Sequence, residues 1–430
     1  MKHGKNNVDE SNVNKNSVDE IKANKNSVDE IKANKSNVDE IKANKSNADE
    51  IKANKSNTGE INVNEKAYSA ASGADWEWLC SIPGIYHAHQ EILLRVFGSP
   101  EAVRKSSEAE LELLRKKGCK WVEKVQKFQK EYSVDRIVND RCEKGIQFIS
   151  CTHADYPARM RQIINAPYGL FFRGMLPPDE ERTAAVIGAR MCTREGKNLA
   201  EQLARKIVQA GGAVVSGAAY GIDGAAQWAA MEAGGKSYAL LGCGVDVVYP
   251  ASHRLLLERL GENGGVISEL PCGTPPLRSH FPMRNRLISG FSDIVAVVEA
   301  KKKSGSLITA DFAAEQGKTV MAVPGRPEDE LSEGCNELIA QGAGLILSAE
   351  SFAKIAFPDY KKDEKENSEN LILASSEKLV YSSFGLHPKS LWELQADTAL
   401  SLGELSETLW TLVQKKMVKE TEWNYFIKIK

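Results

Sequence analysis

What this sequence lacks narrows its chemistry. None of its eight cysteines belongs to a Cys-x-x-Cys pair, so neither a zinc ribbon nor a disulfide framework is expected. No apolar run is long enough to span a bilayer, and the N-terminus carries no signal-peptide core, so a reducing cytoplasm is the expected setting. No Gly-x-x-x-x-Gly-Lys-Ser/Thr loop occurs, and Gly-x-Gly-x-x-Gly does not follow the first strand of the central α/β region. No Ser, His and acid fall at a recognisable catalytic spacing. Asp223 and Glu269 are candidates for acid and base, but Asp223 reads better as a cap for the helix after Gly221. The expectation is a protein without enzymatic activity and without a cofactor. The net charge is only −2 over 430 residues. Any nucleic-acid binding therefore needs a local basic patch.

What is present is strand–helix alternation from Thr183 to Glu350. Seven short apolar runs read as strands: Ala184–Gly188, Ala213–Gly217, Ser237–Gly242, Val266–Glu269, Asp293–Glu299, Thr319–Val323 and Gly344–Leu347. Continuous rather than alternating apolar runs imply strands covered on both faces. Amphipathic segments such as Lys197–Ala210 and Leu307–Gln316 separate them. The pattern predicts a doubly wound parallel α/β sheet of extended Rossmann-like type, with ligands at the carboxyl ends of its strands. Those ends carry Gly188-Ala189-Arg190, Ser216-Gly217-Ala218-Ala219-Tyr220-Gly221, Gly242-Cys243-Gly244 and Pro324-Gly325. Glycine permits close backbone approach, and helix starts offer free N–H donors, so an anion such as phosphate is favoured.

Around this core the chain divides into further parts. Residues 1–65 hold a decaying ten-residue repeat, Ser17-Val18-Asp19-Glu20-Ile21-Lys22-Ala23-Asn24-Lys25 and its copies. Its polar composition and its mismatch with helical periodicity predict a disordered tail. Residues 66–150 read as a small helical domain of SAM or helix-hairpin-helix type around Ile82-Pro83-Gly84-Ile85. Such a hairpin binds phosphates through helix-start N–H groups, or it packs against a partner. Tyr86 stands where a second glycine is usual. Residues 151–357 form the sheet domain, entered through a connector from Tyr156 to Pro178. Residues 358–370 are a charged linker. Residues 371–430 read as three helices and a hairpin, a winged-helix pattern. The second helix of its helix-turn-helix carries Glu404 and Glu407 but no Lys or Arg, which favours protein contact over groove binding.

The most informative loop is Pro276-Leu277-Arg278-Ser279-His280-Phe281-Pro282-Met283-Arg284-Asn285-Arg286. Guanidinium forks bind phosphate oxygens in pairs, and an aromatic beside them stacks an unpaired base. Arg190 is expected in the same crevice. The structural alternative pairs Arg284 or Arg286 with Glu269 or Glu299 and buries Phe281. A second group, Ser304-Gly305-Ser306 after Glu299, is either a phosphate cradle or a helix cap.

At these residues the chain resembles the DNA processing protein A family (DprA/Smf). The motifs are Val186-Ile187-Gly188-Ala189-Arg190, Ser216–Asp223, Gly244-Val245-Asp246 with Tyr249-Pro250, Ile267-Ser268-Glu269, Phe281–Arg286, Val298-Glu299-Ala300 with Ser304-Gly305-Ser306, Val323-Pro324-Gly325, and Gly334-Cys335-Asn336 with Gly342-Ala343. The likeness runs from about Asp75 to Lys428. The family usually has Ser at Ala189, His at Gln227 and a basic residue at Ala251. The resemblance implies a dimeric single-stranded DNA binder that protects incoming strands and loads the RecA recombinase in natural transformation. By position, Arg190, Arg278 and Phe281 bind phosphate and stack a base. Ser216, Gly217, Ser304, Gly305 and Ser306 contact the strand, and Arg284, Asn285 and Arg286 shape the pocket. The dimer surface is not marked in the sequence; Ile288 to Val298 and its neighbours are one candidate for an apolar face there. The rival expectation is an enzyme of related fold that cleaves nucleoside monophosphates, for which the Pro-Gly-Gly-x-Gly-Thr loop is missing.

Overall fold

The computed structural model describes residues 72–358, 375–384, 388–415, 417–422 and 424–429. The repeat over 1–65 and most of the linker over 358–370 lie outside the described residues. The chain divides into two compact units, one up to residue 360 and one from 361 onward.

The first unit begins with six helices: α1 (Gly73–Cys80), α2 (His87–Phe97), α3 (Pro100–Lys105), α4 (Glu108–Lys116), α5 (Val122–Glu131) and α6 (Val134–Glu143). Serine hydroxyls cap α1, α3, α4 and α6 by accepting from first-turn N–H groups, as the free donors of a helix start require. Trp76, Trp78, Ile82, Leu93 and Val125 make the core of this module. Buried Glu77 is paired with Arg141 at 2.6 Å, and Trp78 Nε1 donates to the Tyr132 carbonyl at 3.1 Å.

A nine-stranded sheet follows. Its strands are β1 (Gln147–Ser150), β2 (Gly169–Gly174), β3 (Thr183–Ile187), β4 (Ala213–Ser216), β5 (Ser237–Leu240), β6 (Gly264–Ser268), β7 (Ile294–Val297), β8 (Thr319–Ala322) and β9 (Gly344–Leu345). The spatial order is β1-β2-β6-β5-β4-β3-β7-β8-β9. From β6 to β9 every pairing is parallel, so all seven expected strands form the expected parallel sheet. The connector expected from Tyr156 to Pro178 is not plain loop. It contains the short α7 (Ala158–Arg161) and β2, and β1 and β2 add an antiparallel edge through β6. The chain order reverses between β3 and β7, the switch point at which open α/β sheets form their crevice.

Helices cover both faces: α8 (Arg194–Gln209), α9 (Ile222–Glu232), α10 (Arg254–Asn263), α11 (His280–Gly290), α12 (Gly305–Glu315), α13 (Glu330–Ala340) and α14 (Ala349–Ala356). Alternate residues of β3 divide between two cores. Ala184 and Val186 join Leu203, Ile207 and Phe352, whereas Ala185 and Ile187 join Leu287, Phe291 and Ala313. That alternation explains why every residue of β3 is both apolar or small and buried. The stretch named as a candidate dimer face is interior instead. Ile288, Phe291, Ile294, Val295, Ala296, Val297 and Val298 are all buried, so they fill the core.

The second unit holds α15 (Ser375–Ser383), β10 (Lys389–Ser390), α16 (Leu391–Thr398), α17 (Leu402–Gln414), β11 (Val418–Glu422) and β12 (Tyr425–Lys428), with strand order β10-β12-β11. Val380, Leu394, Leu405, Leu409, Leu412 and Val418 form its core. Ser390 with Glu393 and Ser401 with Glu404 make reciprocal capping boxes at the starts of α16 and α17.

Tyr86, the departure noted in the hairpin, is the N-cap of α2. Its N–H donates to His89 Nδ1 at 3.3 Å, and its hydroxyl reaches His280 Nε2 at 2.7 Å. This helix start is therefore occupied from within the chain, and packing is the reading the geometry favours for the hairpin. His89 lies tilted against Trp121, with ring centroids 4.7 Å apart. Burial, then Lys124, lowers its pKa to about 4. The unfolded chain, with a histidine near 6.5, takes up the proton first. This contribution to stability is complete above about pH 6.5 and is lost as pH falls toward 4. Replacing His89 with Gln is expected to remove up to about 1.4 kcal/mol per pH unit of the slope over that window. Urea midpoints of the two proteins at pH 7, 6, 5 and 4 measure it.

Candidate nucleic-acid interface

The carboxyl ends of β3, β4 and β5 surround one pocket. Arg190, Gly217, Ala218, Ala219, Tyr220, Leu241, Gly242, Cys243, Tyr249, Pro250, Phe281 and Arg284 line it. Its floor is Arg284, 5 % exposed. Arg284 Nη1 donates to the Gly217 carbonyl at 2.9 Å and to the Leu240 carbonyl, so it ties the ends of β4 and β5 together. Gly217 must be glycine here, because a Cβ would lie 2.6 Å from both Nη atoms. Burial, and then Arg190 nearby, pulls the Arg284 pKa down to about 10, against the pull of Asp223. The guanidinium remains charged at neutral pH. Asp223 accepts from the Gly217 N–H at 3.0 Å, so it holds the turn after β4 instead of capping α9. Burial raises its pKa and Arg284 opposes that rise.

The wall is aromatic and basic. Residues 276–279 form a loop, but from His280 onward the expected loop is the first turns of α11. Pro282 is tolerated there because a first turn lacks intrahelical acceptors for its N–H. The Phe281 ring lies against Gly242, where a Cβ would come within 2.9 Å of it. Tyr249 meets Phe281 with centroids 5.4 Å apart. The Arg190 guanidinium carbon sits 5.4 Å from the Phe281 centroid, within cation–π range. Arg190 is presented by a crossing of two turns. Gly221, at φ 74°, passes so close to the Ala189 and Arg190 carbonyls that a Cβ would sit 2.3 and 2.5 Å from them.

The other expected site residues divide into two sets. Arg278 is exposed, three residues before Phe281, and neither it nor Arg190 has a hydrogen bond or ion pair among the described residues. Ser216 is buried and donates to the Val186 carbonyl at 2.7 Å. Arg286 is buried in an ion pair with Glu269 at 2.5 Å, which is the structural alternative considered for it. Asn285 Nδ2 donates to the Gly305 carbonyl at 3.0 Å and so holds the start of α12. Ser304 caps α12, accepting from the Ser306 N–H at 3.3 Å, while the two hydroxyls lie 2.7 Å apart. None of Ser216, Asn285, Arg286, Ser304, Gly305 and Ser306 lines the pocket. Glu299 turns to the start of α8, accepting from the Thr193 N–H at 2.9 Å and hydroxyl at 2.5 Å. Tyr220 and Tyr249 were not assigned to the site from sequence, although both stand in motifs quoted above.

Gly221→Ala is expected to destabilise the protein by about 1–3 kcal/mol, because it adds a left-handed residue and a backbone collision at the turn that presents Arg190. Thermal melts with and without the substitution read this directly.

Comparison with known proteins agrees with this architecture. The family model described as DNA recombination-mediator protein A matches residues 147–356. The chain is 42 % identical over 199 residues to the DNA processing protein DprA of Streptococcus pneumoniae, covering 45 % of this chain and 69 % of that protein. It is 40 % identical over 216 residues to the DNA processing protein DprA of Bacillus subtilis, covering 50 % of this chain and 73 % of that protein. The X-ray structure of DNA processing protein A from Streptococcus pneumoniae superposes with a TM-score of 0.54 at 31 % identity, covering 68 % of this chain and 99 % of that one. Identity at this level over more than two thirds of such relatives means that this chain belongs to the DNA recombination-mediator protein A family.

Proposed function

We propose that this protein is a single-stranded DNA-binding recombination mediator, which protects incoming strands and loads RecA in natural transformation as a homodimer. One observation carries the DNA-binding part. Arg190 and Arg278 are exposed guanidinium groups without acidic partners, and Arg190 rests over the Phe281 ring at the carboxyl edge of the sheet. Cations that are not neutralised from within are free to displace counterions from a polynucleotide. Arg190 rests over Phe281 when no strand is bound. A base stacking on that ring and a phosphate taking the guanidinium are then one exchange, in which a cation–π contact gives way to a stack and a charge-assisted hydrogen bond. Arg284, Asn285 and Arg286 support the rim from below. Family membership supports the roles in RecA loading and dimerisation, and the second unit is read as a winged-helix-like domain. Its α17 carries Glu404 and Glu407 with no Lys or Arg, which suits contact with a protein.

Phosphate contacts give a predictable salt response. Arg278→Glu and Arg190→Glu are each expected to weaken binding to a labelled oligothymidylate more than tenfold with an unchanged melting temperature. Each should also reduce the slope of log affinity against log salt by about 0.7, the value for one lost phosphate contact on a single strand. Anisotropy titrations from 50 to 300 mM salt give both quantities, and unchanged affinity in both variants refutes the site.

The enzymatic rival is disfavoured by the lining of the pocket, which contains no carboxylate, whereas glycosidic cleavage calls for a general acid or base at the reacting atoms. Incubation with AMP is expected to release no adenine above the uncatalysed background, as followed by chromatography.

A further inference from the structure

Phe281 is the ring that the sequence points to, yet it is not the most accessible aromatic at this pocket. Gly242 lies against it, Tyr249 flanks it and Arg190 rests over it. Tyr220 and Tyr249 line the same pocket and remain 48 % and 38 % exposed. Neither is a loose surface tyrosine. The Tyr220 hydroxyl accepts from Ser252 Oγ at 3.1 Å, and its ring meets His253 edge-on with centroids 5.1 Å apart. His253 is itself fixed by the hydrogen bond from its Nδ1 to the Ala218 carbonyl at 3.1 Å and by its fit against Gly224, which has no room for a Cβ. Ser252 and His253 follow Tyr249-Pro250 after one residue, Ala251, so one short segment carries Tyr249 and braces Tyr220.

The pocket itself is too small to take a base. Its cavity volume is about 20 Å³, enough for roughly one ordered water. Nor can a base slide between Tyr249 and Phe281, which are 5.4 Å apart, since an inserted ring needs about 7 Å, two van der Waals spacings. Bases are thus left with the rim, where flat faces are exposed beside cations.

We propose that Tyr220 and Tyr249 are base-stacking residues that join Phe281 in a three-ring platform around the pocket mouth, across which consecutive unpaired bases of a single strand are laid. The inference rests on the DNA-binding reading above and extends it to residues that no motif assigned. Stacking on tyrosine is tolerant of base identity because every base has a π-face. The platform therefore adds affinity for unpaired bases as such, with little preference for sequence. Duplex DNA, whose bases are already stacked, gains nothing from it.

The test uses the full chain, a labelled oligothymidylate and an abasic strand of the same length. Tyr220→Ala and Tyr249→Ala are each expected to weaken oligothymidylate binding about 5- to 100-fold, the range for loss of one stacked base, while binding to the abasic strand stays as in the parent protein. Tyr220→Phe and Tyr249→Phe, which keep the ring, should retain affinity within about threefold of the parent. Quenching of tyrosine fluorescence on strand addition should fall in the alanine variants. Alanine variants that bind oligothymidylate as the parent does overturn the platform. So do variants that lose the normal and the abasic strand equally, since that marks a structural role. If Arg278→Glu and Arg190→Glu abolish binding while the tyrosine variants do not change it, only the platform fails. If the arginine reversals also leave binding intact, the DNA-binding reading fails with it.

Discussion

A single buried cation organises the functional edge of the sheet. Arg284 places its guanidinium under the ends of β4 and β5 and donates to the Gly217 and Leu240 carbonyls. Burying an ion costs several kcal/mol, and carbonyl dipoles recover part of it. Asp223 recovers more without closing an ion pair, because it is engaged by the Gly217 N–H. The arrangement is expensive in stability and specific in geometry. A planar fork can bridge two strand ends at a set spacing, which a lysine ammonium on a flexible stem does not do. Once β4, β5 and α11 are pinned to one another, Gly242, Phe281 and Tyr249 stack in fixed order above the guanidinium, and Arg190 closes the top. The rim is built before any ligand arrives, so binding loses little to ordering.

The helical module reaches this same rim. His280 is the residue before Phe281, and its Nε2 takes the Tyr86 hydroxyl at 2.7 Å. Trp76 and His87 both stack on Tyr168, in the turn leading into β2. Because β2 pairs with β6, the antiparallel edge links the module to the strands that carry the pocket. Burial lowers the pKa of His280, so it remains neutral near physiological pH and keeps a lone pair or N–H for Tyr86 without adding charge to the site.

The parallel strands were legible because each is a short apolar run with both faces covered, and local composition is enough to mark such a run. The antiparallel pair was not. Gly169–Gly174 reads as part of a proline-bounded connector, and what makes it a strand is its pairing with β6, nearly a hundred residues away in the chain. Arg286 could be read either as a ligand or as the partner of Glu269, and only the fold decides between them. Arg190 was readable as a candidate from its place after the first strand of the parallel sheet, and Arg278 from the basic and aromatic loop that carries it. The tyrosines were opaque for the opposite reason. A tyrosine in a loop is equally suited to core and surface, and what fixes Tyr220 as a rim residue is a hydroxyl from Ser252, thirty-two positions on. Tyr86 stands where a second glycine is usual, a departure that points to packing for the hairpin, and its hydroxyl on His280 is such a packing contact.

Two helix starts of this fold are closed by the protein's own side chains. In nucleotide-binding relatives of this architecture the start of the first crossover helix holds a phosphate, through free N–H groups and the positive end of the helix dipole. In this chain that position is taken. Glu299, from the far side of the switch point, accepts the Thr193 N–H and hydroxyl and lies so close to Gly196 that a Cβ would come within 2.3 Å of its oxygen. A carboxylate of the protein already satisfies the helix start and repels a second anion. The start of α12 is likewise closed by Ser304 from within and by Asn285 from behind. On the proposed reading, the guanidinium groups at the rim meet phosphate; they lie on the surface, are screened by salt and impose no single register on a chain. A site of that kind suits a long polymer that must be gripped at many equivalent positions and later released, and it suits a small nucleotide poorly, because the pocket below has a volume of only about 20 Å³.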